Sequence, residues 1–139
     1  MESILLVEDS KFLKIATERV LTKAGYHVIC AGDGEEALLL ATTSPPGLIM
    51  LDMLLPKLSG PEVLRSLKKD VRTAHIPVLV LSSLPQSNER KLLKEGAAAF
   101  LEKGTLLDDP SLLLGAVQSA LAGNVVARSE AMSRPRFNL

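Results

Sequence analysis

The sequence predicts an α/β fold, an open doubly wound sheet of five parallel strands flanked by helices. Three observations carry that reading. Short apolar runs alternate five times with helix-like stretches, and that alternation needs crossovers between parallel strands. The runs are continuously apolar rather than alternating, as strands buried on both faces are. Acidic or polar residues follow the runs at their carboxyl ends, where an open α/β sheet forms its ligand crevice. At 139 residues the chain suits one domain with a single good core.

Each element has a local cause. Ile4-Leu5-Leu6-Val7 reads as the first strand. A helix from about Lys11 to Ala24 follows, with Ser10 as N-cap and Gly25 as its stop. His27 to Ala31 forms the second strand. Gly32-Asp33-Gly34 then turns the chain into a helix with Ala37, Leu38 and Ala41 on one face, ending before Pro45-Pro46. Leu48 to Leu51 is the third strand. Ser59 and Glu62 stand at capping-box spacing ahead of the stripe Val63, Leu64 and Leu67. Pro77 leads into the fourth strand, Val78 to Leu81. A charged helix runs from about Gln86 to Glu95 and stops at Gly96, and Ala98 to Leu101 is the fifth strand. Asp109 caps the fifth and last helix, with Pro110 at its first position.

Composition narrows the function. Lys plus Arg and Asp plus Glu both number 16, so the formal net charge is zero. No general attraction to nucleic acid or an anionic membrane is expected, and basic surface is local to Arg128, Arg134 and Arg136 in the tail. The single Cys30 excludes an internal disulfide and fits a reducing compartment. No apolar run reaches the ~18–20 residues of a membrane span, and no signal-peptide pattern opens the chain. A cytoplasmic location is expected. His27 and His75 have no His or Cys neighbours at metal-ligand spacing.

In a parallel sheet the strand carboxyl ends share one rim. Glu8-Asp9, Asp52, Ser82 and Lys103 each follow a strand closely and should meet there. Crowded carboxylates repel one another, and a hard cation such as Mg²⁺ relieves that repulsion. Lys103 would pair with Asp52 at rest and with a phosphoryl oxygen later, and Ser82 offers a hydroxyl to the same group. The assembly favours phosphoryl transfer, with Asp52 as a nucleophile that becomes an acyl phosphate. Mg²⁺ and Lys103 would offset charge on the transferred group. No general base is needed, because a carboxylate is already ionised at neutral pH.

In order and spacing these residues resemble the receiver domains (CheY-like) of bacterial two-component response regulators, over about residues 2–123. The resemblance rests on Leu5-Leu6-Val7-Glu8-Asp9, on Asp52-Met53-Leu54-Leu55-Pro56 with Gly60, on Pro77 to Ser82, and on Gly96 to Lys103. It implies a flavodoxin-like (β/α)5 fold with strand order 2-1-3-4-5, an order that belongs to the family and comes with the resemblance alone. It implies that Asp52 accepts the phosphoryl group of a phosphohistidine on a sensor histidine kinase or phosphotransfer protein. It further implies that Asp9 and Asp52 bind Mg²⁺ directly, Glu8 mostly through water, and the Leu54 backbone carbonyl as the remaining protein ligand. Ser82 and Phe100 match the family's switch pair, which passes the event to the face of the fourth helix, fifth strand and fifth helix.

Three departures bear on function. Gly104 follows Lys103 where the family usually has a cis-proline; a non-proline cis bond costs ~2.5–4 kcal/mol, so a trans, more mobile loop is expected. Leu54 and Leu84 lie two residues beyond Asp52 and Ser82, where the family tunes hydrolysis. Neither can orient a water, so slow autodephosphorylation is expected. The stretch from Pro110 to Ala127 carries no charge, which suggests an apolar docking surface over 110–123 for a downstream target or a second copy. The expected organisation is a receiver domain over 1–123 and a polar, basic tail or linker start over 124–139. A stand-alone phosphorylatable receiver is the favoured reading, since no output domain follows. An interaction module that is never phosphorylated, a receiver fragment of a longer regulator, and a phosphoester hydrolase are the alternatives. The last would need a second carboxylate at position 54, where Leu stands.

Overall fold

A computed structural model of the chain describes residues 2–82 and 89–123. Five parallel strands, β1 (Ser3–Val7), β2 (His27–Ala31), β3 (Leu48–Asp52), β4 (Val78–Ser82) and β5 (Ala99–Glu102), form one sheet in the order β2-β1-β3-β4-β5. The helices among the described residues are α1 (Lys11–Lys23), α2 (Gly34–Thr43), α3 (Gly60–Lys69), α4 (Glu89–Lys94), α5 (Lys103–Asp108) and α6 (Pro110–Leu121).

Alternate residues along each strand feed two cores. Leu5, Val7, Ile49, Leu51, Val78, Val80 and Phe100 meet the buried sides of α2, α3 and α4. Ile4, Leu6, Met50, Leu79, Leu81 and Leu101 meet α1 and α6. The central strands β3 and β4 are therefore buried on both faces, which is why they read as unbroken apolar runs. Caps hold the helix starts. Ser10, Asp33 and Asp109 each accept a backbone N–H three residues on, and Ser59 with Glu62 closes the expected capping box.

Two expectations need correction. Lys103–Gly104 is a trans peptide, but it opens a helix rather than a loop, because α5 begins directly after β5. The last helix is consequently the sixth. The charged fourth helix is described over Glu89–Lys94; its expected start at Gln86 and the site position Leu84 lie outside the described residues. The tail after residue 123, with its arginines, also lies outside them.

The segment between β3 and α3 is fixed from three sides. Gly60 donates its N–H to the Met53 carbonyl at 3.1 Å. A Cβ on Gly60 would stand 2.5 Å from the Asp52 carbonyl oxygen and the Met53 Cα. A Cβ on Gly34 would lie 2.6 Å from the Leu58 Cβ and 2.8 Å from its carbonyl oxygen, so α2 starts directly against this segment. Lys57 takes a left-handed conformation (φ 70°) and aims its ammonium at Asp33 (3.6 Å) and Glu35 (3.8 Å) on that same helix start. Gly60→Ala is expected to lower stability by about 1–3 kcal/mol, the usual cost of overpacking, as read by the urea midpoint of unfolding.

Candidate phosphoacceptor site

The register of the sheet builds the site. Leu6 lies beside Met50 in adjacent parallel strands, so two residues further on Glu8 and Asp52 stand side by side on the same face. Both are almost removed from solvent, each 1% exposed. Asp9, exposed, follows in the turn, and one carboxylate oxygen from each of Glu8, Asp9 and Asp52 falls within 4.8 Å of the others.

Among the described residues a single ammonium reaches the buried pair. The Lys103 Nζ lies 2.7 Å from Asp52 Oδ2 and 3.4 Å from Glu8 Oε2. Burial alone would lower the Lys103 pKa, but the hydrogen bond it donates to Asp52 and the fields of Asp52 and Glu8 reverse this and raise it. Lys103 therefore stays charged across the neutral range. Being the first residue of α5, it is held by a helix that packs beside α1 and α6.

Backbone donors complete the first ring of contacts. The Leu54 N–H donates to Asp52 Oδ1 at 3.1 Å, and the Ser10 N–H donates to Glu8 Oε2 at 3.0 Å. Neither amide was legible as a functional group, because a main-chain donor leaves no residue-type signature. The Leu54 side chain itself is 70% exposed.

The remaining oxygen, Glu8 Oε1, is buried without a hydrogen-bond partner. Burial raises the Glu8 pKa above its ordinary 4.5, and the neighbouring Asp52 carboxylate adds to the rise. An orphaned buried carboxylate oxygen beside two more carboxylates is the donor set that a hard, oxygen-seeking cation fits.

Ser82 and Phe100 share one side of the sheet. Val80 pairs with Phe100, and Ser82, two residues beyond Val80 at the end of β4, points to the same side. Phe100 is 4% exposed and sits in the core beneath α4. Its ring is thus already inward in this state.

The expectation for residues 110–123 is corrected. Leu113, Ala116, Val117 and Ala120 are buried, and Leu112, Leu114 and Leu121 also pack on the core. The exposed residues of this stretch are Pro110, Ser111, Gln118, Ala122 and Gly123. Its outward face is uncharged and mostly small or polar, without a large apolar side chain. No described helix is long and apolar enough to cross a membrane.

Comparison with known proteins places the chain in a family. The family model for the response regulator receiver domain matches residues 4–118. The gliding motility regulatory protein of Myxococcus xanthus is 44% identical over 105 residues, 74% of this chain and 13% of that protein. Protein PilH of Pseudomonas aeruginosa is 32% identical over 124 residues, 88% of this chain and 100% of that protein. Among solved structures, the chemotaxis response regulator CheY4 of Vibrio cholerae superposes with a TM-score of 0.78 at 30% identity, covering 86% of this chain and 98% of that one.

Glu8 gives the pH response a sign. Between pH 4.5 and its raised pKa the native state keeps a proton that the unfolded chain has lost. Stability must then fall as pH rises through that window. Glu8→Gln is expected to remove this fall and to raise the urea midpoint at neutral pH in chelator-treated protein. An unchanged pH profile in the variant would show that Glu8 is not the group responsible.

Proposed function

The chain belongs to the response regulator receiver domain family, and we propose that it accepts a phosphoryl group on Asp52 from the phosphohistidine of a sensor histidine kinase or phosphotransfer protein. The observation that carries this reading is the buried Asp52 carboxylate, bonded by Lys103 Nζ on one oxygen and by the Leu54 N–H on the other. Two fixed donors hold the carboxylate in one orientation, as a nucleophile needs. An Asp52 oxygen forms the new O–P bond while the P–N bond to the donor imidazole breaks and the imidazole leaves. Lys103 then turns from the carboxylate to a phosphoryl oxygen and neutralises part of its charge. The chain assists its own phosphorylation and dephosphorylation without being a turnover enzyme.

Glu8, Asp9 and Asp52, with the Leu54 carbonyl, are the proposed Mg²⁺ ligands, and the orphaned Glu8 oxygen supports that assignment. When bound, the cation supplies positive charge for the phosphoryl oxygens. Ser82 is proposed to bind the phosphoryl group and to move with Phe100, which lies on its side of the sheet. The response would reach a downstream protein through the face of α4, β5 and α6, whose outer residues are uncharged on α6. We take the receiver domain as residues 1–123, acting in the cytoplasm. Its alignment with the whole of PilH supports a stand-alone role; its match to 13% of the Myxococcus protein keeps a longer regulator as the second reading.

Incubation with acetyl phosphate and Mg²⁺, followed by intact mass, is expected to show one added phosphoryl group in the wild type and none in Asp52→Asn. Chelation of Mg²⁺ should reduce uptake to background. An unmodified wild type would leave the interaction-module reading in place of this one.

The exposed apolar Leu54 cannot orient a hydrolytic water. Phosphorylated wild type should therefore outlast phosphorylated Leu54→Asn when both are followed by loss of the mass adduct. A wild-type half-life equal to or shorter than the variant's refutes the assignment.

A further inference from the structure

Helix α5 has no linker of its own. It follows β5 directly through a trans peptide, and Asp109 alone separates its end from α6. It spans six residues, well under the ~12–15 at which an isolated helix becomes even marginal in water. Gly104 in its first turn weakens it further. A Cβ on Gly104 would meet nothing within 4 Å, so no close packing requires the glycine. Contacts outside the helix must therefore hold it.

Two kinds of contact do so. The helix packs beside α1 and α6, and Lys103, its first residue, reaches the acidic rim. The Lys103 side chain is 15% exposed, with Nζ 2.7 Å from Asp52 Oδ2 and 3.4 Å from Glu8 Oε2. Among the described side chains of α5, these are the polar contacts made outside the helix. Charge-assisted hydrogen bonds are the stronger kind, and this one fastens the start of α5 to Asp52.

We propose that α5 is a switch element whose order is coupled to the state of Asp52 through the Lys103 side chain. Such coupling is reciprocal. A firmer hold on Lys103 orders α5, and disorder in α5 loosens Lys103 from the site. The sign follows from charge, and it rests on the proposed phosphorylation of Asp52. A phosphoryl group carries about 1.5–2 negative charges near neutral pH, against one on the carboxylate it replaces, so phosphorylation tightens the tether and orders α5. Because α1 and α6 cover the opposite face of the sheet from Phe100, this route is distinct from the Ser82 and Phe100 pair.

Backbone amide exchange followed by NMR reads α5 directly, at the amides of residues 106–108 that close its internal bonds. In resting, chelator-treated protein, Lys103→Met keeps the apolar stem and removes the charge. It should lower the protection of those amides at least about fivefold relative to the amides of β3. Phosphorylated wild type, its occupancy read by intact mass, should protect them more than the resting chain does at the same Mg²⁺ concentration.

The reverse direction uses Asp108, exposed at the far end of α5. Asp108→Pro breaks the helix there, and Asp108→Ala removes the same charge without the break. Phosphoryl uptake from acetyl phosphate should start at least about fivefold slower in Asp108→Pro than in Asp108→Ala, because a misplaced ammonium no longer meets the transferred group. Protected β3 amides in both variants confirm that the chain is folded. Equal protection of 106–108 in wild type and Lys103→Met, lower protection on phosphorylation, or equal uptake by the two Asp108 variants overturns the proposal. A wild type that takes up no phosphoryl group overturns the Asp52 reading and the sign drawn from it; the Lys103→Met comparison, made on resting protein, still decides the coupling.

Discussion

Two carboxylates nearly stripped of solvent stand side by side on adjacent strands, and one ammonium holds them there. Much else in the structure follows from that arrangement. Burying like charges together opposes folding unless a counter-charge is placed with good geometry. Lys103 supplies it from across the sheet, 95 residues from Glu8 in sequence. The strand register brings the carboxylates together, the start of α5 positions the ammonium, and two backbone amides take up further lone pairs. One oxygen is left without a partner. The site is therefore under-neutralised by construction, which suits a centre meant to receive cations and phosphoryl groups rather than to rest.

The surrounding segments hold this charge cluster in place. The stretch from Met53 to Ser59 cannot drift, because Gly60 leaves no space between it and the end of β3, and Gly34 leaves none between it and α2. Lys57 adds an electrostatic tie to the same helix while holding a backbone conformation that costs a non-glycine residue roughly 1–2 kcal/mol. Such ties are weak individually where they are exposed. Their value is that they converge on the segment carrying the Leu54 amide, and that amide orients the acceptor.

Most of this was legible from residue types. Strands buried on both faces appear as apolar runs, caps appear as Ser, Asp and Glu at fixed spacing, and carboxylates after parallel strands must share a rim. Three things were not legible. The six-residue α5 is too short to show a period and contains Gly104, a poor helix former. The uncharged stretch after Pro110 could not reveal its orientation, since a helix with small or apolar residues all round reads the same whether its leucines face a partner or the core. Only the packing of Leu112, Leu114 and Leu121 against the sheet decides it. The amides of Ser10 and Leu54 belong to the backbone, on which residue identity is silent.

Helix α2 spans ten residues, about 15 Å at the usual rise. Its first residue abuts the acceptor segment, and Leu38, Leu39 and Thr42 in its last turns line a cleft shared with Leu67, Asp70 and Arg72. A rod that touches both places gives them a shared element, and the two are coupled wherever that element has two positions. By linkage, any ligand or partner that favours one position of α2 at the cleft must be favoured, by the same factor, by whatever state of the acceptor segment shares that position. A change at the far end of this molecule that moved α2 would then be felt at Asp52, however little that end has to do with the chemistry there.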